Sequence, residues 1–427
     1  MAKRERIVIL GAGFGGLVTA RTLAKARPDI DIILIDKSDE HLYTPWLYEV
    51  ATSFLVHSHT TDLEALRNTA GISVSYLISC SGCSNIDFRI AEVTGIDARS
   101  KHVLLKSEAT LSFDKLVIAL GSEISYYGIE GLGEFSLDMK TMDNCLEVRA
   151  RLEVLFDDLI AGKRERVHIM IGGGGATGVE TVAELQNFLR VHAKDHDLDL
   201  NRIHVSLVNA SPSILSRFTL FMQKIATRRL KDLRVELFSH TVIQSVKKSS
   251  VRLAPSPKAP SDIANHIKTR DQNFDILLWA GGVQPLSLLK SFDLPKEERG
   301  RLKVDATLAV EGFDDIYALG DIIFCTDTSD NRQVPGAAWS AIGEAAIVAK
   351  NLASSGEAKY HLPKRFPGMI AIGGSYAVGS IYGFPVLGYL AFWMRRFIDL
   401  HYFMKLMTPR HALVFWWRAT RIFAKNG

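Results

Sequence analysis

Cysteine is scarce in this chain, with Cys80, Cys83, Cys145 and Cys325 the four among 427 residues. So few exclude a disulfide-stapled scaffold and suit a reducing compartment. Cys80 and Cys83 stand at C-x-x-C spacing, but no second C-x-x-C or nearby histidine pair completes a zinc site, and no metal is expected. What that pair does is left open; His57-Ser58-His59 is read as a loop pair. Excess charge is missing too. The formal net charge is +4, with 47% hydrophobic and 23% charged residues, a balance that excludes a disordered chain and a multi-span membrane protein. Residues 366–394 carry no charge over 29 positions. Pro367, Gly373, Gly374, Gly379, Gly383, Pro385 and Gly388 punctuate that run, so short strands and turns are expected there rather than a span. The first strand starts by residue 7, and no signal or transit peptide is expected.

Glycine, by contrast, falls in a telling order. Ile7-Val8-Ile9-Leu10 is a buried strand that runs straight into Gly11-Ala12-Gly13-Phe14-Gly15-Gly16, which is G-x-G-x-x-G. Gly11 permits the tight turn, Gly13 lets backbone approach a pyrophosphate, and Gly16 lets the following helix pack on the strand. The helix start then offers free N–H groups and the positive dipole end to phosphates. A second strand, Asp31-Ile32-Ile33-Leu34-Ile35, ends at Asp36, where a carboxylate accepts from ribose hydroxyls.

The device recurs. Val167-His168-Ile169-Met170-Ile171 leads into Gly173, Gly175 and Gly178, with a long helix after them. Its next strand, Ile203-His204-Val205-Ser206-Leu207-Val208, ends at Asn209. A neutral amide still bonds a ribose hydroxyl but repels a 2′-phosphate less than a carboxylate does, which leaves NADPH open beside NADH. Two fingerprints imply two dinucleotides held together, and the natural pair is a flavin and a nicotinamide.

Between and beyond the fingerprints the pattern is less regular. The aromatic run from His41 to Ala51 contains Pro45, which is expected to stop helix formation at Thr44. Residues 62–110 are read as a short helix and irregular strands, and 249–273 as a surface hairpin excursion. Strands end in small residues at Gly121 and Gly281, and a strand ends in the acid Asp321 after Gly320. Helices are expected at about 140–160 and 337–352. Residues 384–427 hold Arg395, Arg396, Lys405, Arg410, Arg418, Arg421 and Lys425 against the single acid Asp399. Interspersed Trp and Phe favour an anionic membrane surface over nucleic acid as the partner of this basic end.

With these pieces in order, the chain resembles the type II NADH dehydrogenases, single-subunit, non-pumping NADH:quinone oxidoreductases among the two-dinucleotide-binding-domain flavoproteins. The resemblance rests on the His41–Pro45 and Tyr48–Thr52 stretches, the run from Gly173 to Glu180, the Ala318–Asp321 segment and the basic aromatic end. It implies an α/β fold of two Rossmann-like domains plus C-terminal amphipathic membrane-anchoring helices. The flavin unit would comprise 1–125 and 291–380, the NAD(P)H unit 126–290, and the membrane-associating helices 381–427.

Carried over by position, Gly11, Gly13, Phe14, Gly15 and Gly16 with Asp36 and Lys37 would hold FAD. Thr44, Pro45, Gly121, Gly320, Asp321 and Ala338 would surround it. Gly173, Gly175, Ala176, Thr177, Gly178, Asn209 and Gly281 would hold NADH, with Glu180 as the catalytic acid. The resemblance further implies a membrane quinone as acceptor, a homodimer, and a peripheral place on the cytoplasmic face of the membrane. One departure stands out. The family's glutamines beside the quinone are replaced by Trp339 and Gly343, so Ala338, Trp339 and Gly343 are the quinone-side candidates. Two other classes share the scaffold, a slow NAD(P)H-sensing flavoprotein similar to apoptosis-inducing factor and a sulfide:quinone oxidoreductase with paired redox cysteines.

Overall fold

The computed structural model describes residues 4–53, 60–80, 82–107, 109–327, 329, 332–354, 356–363, 368–381 and 383–423. His57, His59, Pro367 and Lys425 lie outside the described residues. Two parallel sheets organise the rest. The first has five strands in the order Ile316–Ala318, Lys115–Ile118, Arg6–Leu10, Asp31–Asp36 and Ile86–Ile90. Its centre is the apolar strand Arg6–Leu10, paired through Ile7 with Ile32 on one side and with Lys115 on the other. Covered on both faces, such strands are continuously apolar, and Ile7 to Leu10 are all fully buried. The second sheet has four strands in the order Glu236–Phe238, Ile203–Val208, Val167–Gly172 and Ile276–Trp279.

Each central strand feeds a helix, Phe14–Ala26 in the first unit and Ala176–Asp195 in the second. The first of these packs against the helix Ala338–Ser354, which follows the late strand Ile316–Ala318. The chain from residue 368 forms the three-stranded antiparallel sheet Gly368–Ala371, Ala377–Ile381 and Phe384–Leu387. Two helices, Gly388–Leu406 and Pro409–Phe423, close it. Among the described residues no helix is long and apolar enough to cross a membrane, as the glycine punctuation implied.

Three details correct the sequence reading. Pro45 does not end a helix; it sits in the opening turn of the 3-10 segment Thr44–Trp46, which runs directly into Leu47–Thr52. A proline at the start of a helical turn gives up only an N–H that has no partner there. Residues 249–273 are more than a hairpin, because Arg270–Asn273 adds a third antiparallel strand to Thr241–Lys247 and Ser250–Pro255. That strand is polar, so it left no hydrophobic period to detect. Ile86–Ile90 was likewise read as irregular, yet it is the outer strand of the first parallel sheet, paired through Phe88 with Leu34.

Candidate functional site

The two glycine turns are near copies. Gly11 has φ +97° and Gly173 φ +118°, backbone that favours glycine. A Cβ at Gly11 would lie 2.4 Å from the Ala119 carbonyl oxygen, and one at Gly173 2.4 Å from that of Ala280. The third glycines repeat the match, since a Cβ on Gly16 or Gly178 would meet the carbonyl oxygen of Gly11 or Gly173 at 1.8 Å. Only the middle glycines look outward. Nothing stands within 4 Å of a Cβ built on Gly13 or Gly175. Four glycines are therefore needed by the protein's own packing, and two face open space where backbone meets an incoming phosphate. The helix at Phe14 starts from Gly13 with no side-chain cap, so its end N–H groups stay available to an anion. Dinucleotide pyrophosphates fit both cradles.

The strand ends differ. Asp36 accepts from the backbone N–H of Ala12 at 2.7 Å and of Ser38 at 3.1 Å, which ties it to the first glycine turn, with Lys37 exposed beside it. Asn209 donates to the Ser211 carbonyl at 2.8 Å and packs on Gly174, where a Cβ would meet its Oδ1 at 2.5 Å. Beside the second turn, the Gly281 carbonyl accepts from the Tyr127 hydroxyl at 3.3 Å. Ala176 and Thr177 open the second helix, and the Thr177 carbonyl accepts from the Thr181 hydroxyl at 2.7 Å.

Around the first cradle the structure gathers the late segment. Gly320 and Gly121 both hold left-handed backbone, at φ +83° and +73°. Asp321 accepts from the Ser122 hydroxyl at 2.6 Å, and that oxygen accepts from the Lys140 ammonium at 2.8 Å. The start of the helix at Ala338 lies close by. A Cβ at Gly336 would touch Asp321 at 3.0 Å, and one at Gly15 would sit 3.5 Å from the Ala341 carbonyl. Glu344, in the same helix, accepts from the Gly320 N–H at 2.6 Å, and burial pushes its carboxyl up to about 8. Thr44 is exposed and Pro45 half-buried, and the Pro45 carbonyl accepts from Arg395. Trp339 is 39% exposed. Gly343 has another neighbour: a Cβ there would stand 3.1 Å from the Tyr360 ring, so that ring fills the volume a glutamine would take.

A buried charge cluster, which sequence reasoning missed, joins the units. Arg396 donates to both oxygens of Glu49 at 2.8 and 2.9 Å, and Tyr48 donates to the same carboxylate at 2.9 Å. Arg395 stands 3.5 Å from Glu49 and 3.6 Å from Glu180. Asp399 accepts from the Tyr43 hydroxyl at 2.7 Å and the Trp46 indole at 2.9 Å. Glu184, one turn after Glu180, accepts from the Gly374 N–H at 3.0 Å. Burial pushes Glu180 and Glu184 up to about 7, with the arginines opposing it. Counting Arg395 and Arg396 in a basic end that meets an anionic membrane surface is thus corrected, because their helix packs them, with Asp399, against the 41–50 run. The signal available was their spacing, Arg-Arg followed at i+3 and i+4 by one acid inside an apolar helix.

The outer face of the two last helices is different. Lys405, Arg410, Arg418 and Arg421 are exposed together with Leu390, Phe397, Leu413, Val414 and Trp417, whereas Trp416 and Phe423 are buried. Phe384 and Tyr389 continue that apolar surface at 74% and 62% exposure. As for sulfur chemistry, Cys145 and Cys325 are buried, and burial pushes both thiols up, Cys325 to about 12, which leaves them inert. Among the described residues no group of three or more metal-ligating side chains converges.

Known proteins are similar to this chain in sequence and fold. A curated type II NADH:quinone oxidoreductase of Staphylococcus haemolyticus (strain JCSC1435) is 27% identical over 416 residues, covering 94% of this chain and 96% of that one. The Staphylococcus aureus (strain NCTC 8325 / PS 47) protein of the same name is 27% identical over 413 residues, with the same coverage. Among solved structures, NDH2 from Plasmodium falciparum in complex with NADH aligns with TM-score 0.82 at 17% identity, over 99% of this chain and 97% of that one. The sulfide:quinone oxidoreductase of Aquifex aeolicus aligns with TM-score 0.76 at 16% identity, over 95% and 92%. These likenesses bear out the resemblance drawn from the motifs and the fold. The sequence model described as pyridine nucleotide-disulphide oxidoreductase matches residues 5–345. The chain therefore belongs to the pyridine nucleotide-disulphide oxidoreductase family.

Proposed function

We propose that the protein oxidises NADH through FAD and passes two electrons to a membrane quinone without pumping protons. The doubled cradle carries this reading: two phosphate sites of one geometry, the first ending in Asp36 and the second in Asn209. The names of the curated relatives support the same acceptor.

In this reading 1–125 and 291–380 form the flavin unit and 126–290 the nucleotide unit. FAD, when bound, supplies the two-electron carrier between donor and acceptor. Gly13 and Gly175 admit the two pyrophosphates, and Asp36, with Lys37 next to it, takes the flavin-side ribose. Asp321, aligned by Ser122 and Lys140, sits where a sugar hydroxyl chain would bind. Asn209 takes the nicotinamide-side ribose and leaves NADPH usable. Glu180 holds a proton near neutral pH at the meeting of nucleotide unit, flavin unit and penultimate helix. The exposed face of Trp339, flanked by Ala338, borders the acceptor side.

The last two helices, within 381–427, lie on the cytoplasmic face of an anionic membrane. Each large apolar side chain buried there contributes roughly 1.5–3 kcal/mol and each basic residue about 1 kcal/mol, enough for attachment without a span. A homodimer is the expected assembly. The buried, inert Cys145 and Cys325 count against sulfide chemistry.

Steady-state NADH oxidation by FAD-loaded protein in lipid vesicles, with ubiquinone and menaquinone analogues compared with ferricyanide, tests the proposal. Fast quinone reduction is expected. Activity with ferricyanide alone would refute the quinone step and favour the slow sensor class.

A further inference from the structure

Arg21 is a buried cation that the redox site does not use. It sits on the helix Phe14–Ala26, is 5% exposed, and donates from Nη1 to the Leu77 carbonyl at 2.6 Å. Its Nε is buried without a hydrogen-bond partner. Among the described residues no carboxylate forms an ion pair with it; besides burial, the groups acting on it are Cys80, Cys83 and Tyr402. Cys80 meets the same atom, its Sγ donating to the Leu77 carbonyl at 3.4 Å, so guanidinium and thiol share one acceptor. The short helix Val74–Ser79 ends at Cys80, and the chain then turns through Gly82 at φ +70° to Cys83. Both sulfurs lie on partly exposed residues, unlike Cys145 and Cys325.

A cation nine-tenths buried without a carboxylate is costly to keep. The geometry points to Cys80 and Cys83 as a thiol–disulfide site that closes with low-molecular-weight disulfides, with Arg21 as counter-ion of the attacking thiolate. A thiolate at a helix C-terminus faces the negative end of the dipole, so it needs such a partner more than one at an N-terminus does. In the exchange one cysteine thiolate attacks a sulfur of the small disulfide, which forms a mixed disulfide and expels one small thiol. The second cysteine then displaces the other small thiol. Two protein S–H bonds are lost, one protein S–S bond forms, the small disulfide is reduced, and the two protons leave on the released thiols. This inference is independent of the electron acceptor proposed above.

The test equilibrates FAD-loaded full-length protein in buffers of graded glutathione disulfide to glutathione ratio, alkylates it and maps peptides by mass spectrometry. The expected result is loss of two hydrogens from the Cys80–Cys83 peptide in one transition, with Cys145 and Cys325 remaining thiols. Alkylation of both residues at every ratio, or separate glutathione adducts without closure, overturns the site. For Arg21, Arg21→Met should close several-fold more slowly and Arg21→Lys should keep most of the rate; wild-type speed in Arg21→Met removes the counter-ion role. Should Arg21→Met fail to fold, wild-type closure by anionic glutathione disulfide against cationic cystamine reads the same charge. Faster closure by the anionic reagent is expected, and equal or slower closure contradicts it.

Discussion

The two glycine turns of this chain share a backbone and differ in what is packed on it. In the first, Phe14 meets the His41 ring edge-on at 5.3 Å and the Tyr402 ring at 5.1 Å. His41 donates from Nδ1 to the Ala12 carbonyl at 2.9 Å and accepts the Tyr402 hydroxyl at Nε2, 2.8 Å away. Burial pulls that imidazole down to about 4, so it stays neutral and holds this tautomer. The second turn carries the acids Glu180 and Glu184 on its helix instead. Sterics thus fix the cradle, and neighbours decide its chemistry. The penultimate helix reaches both, through Tyr402 to the first turn and Arg395 to Glu180.

The largest effects test whether the cradles are separable. Gly16→Ala and Gly178→Ala each drive a Cβ into a carbonyl oxygen, with no flexible side chain to yield. Gly16→Ala should be isolated without flavin, as read by visible absorbance. Gly178→Ala should keep flavin and lose NADH binding by titration. Equal flavin loss in both would break the assignment of one cofactor to each turn.

Next comes the bridge. Arg396→Met leaves the Glu49 carboxylate buried with less compensation, a loss of about 3–5 kcal/mol in urea unfolding. The double variant with Glu49→Gln should recover part of it, because the orphaned charge goes too. A single-variant loss under about 1 kcal/mol would mean the cluster is not what joins the units.

A smaller effect separates the turns by pH. Glu180 and Glu184 hold their protons to about pH 7 in the folded chain, against 4.5 ordinarily. Between those values the folded state binds protons the unfolded state has lost, so stability falls as pH rises, by up to about 1.4 kcal/mol per pH unit for each carboxyl. Glu344 adds the same sign up to about pH 8. Glu184→Gln should flatten part of the slope measured from about pH 5 to pH 7. An unchanged slope would place the titrating proton elsewhere.

These contrasts also show what was legible beforehand. The turns were, because their requirements are local: a strand, three glycines at fixed spacing and a helix leave little freedom. Asp321 and the helix at Ala338 were found for the same reason, as residues at the ends of regular elements. The charge cluster was not, since Glu49 and Arg396 are 347 residues apart and only the docked helix brings them together. Composition misled there, assigning to a membrane-facing basic end two arginines that are buried. Gly343 was placed correctly on its helix, but Tyr360, which fills the space beside it, comes from a segment with no period of its own.

The smallest change makes the second turn more like the first. Asn209→Asp puts a carboxylate at the end of Ile203–Val208, as Asp36 stands at the end of Asp31–Asp36. An ionised oxygen there still accepts from a ribose 2′-hydroxyl, so kcat/KM for NADH should stay within about twofold. A 2′-phosphate at the same place meets like charge, and the kcat/KM ratio of NADPH to NADH should fall about tenfold, worth about 1.4 kcal/mol. The amide's own bond to the Ser211 carbonyl is lost in the exchange, which a control for thermal stability will register. Should the ratio stay fixed while stability drops, Asn209 serves only to hold the loop, and the nucleotide's ribose is read by some other group on the second turn.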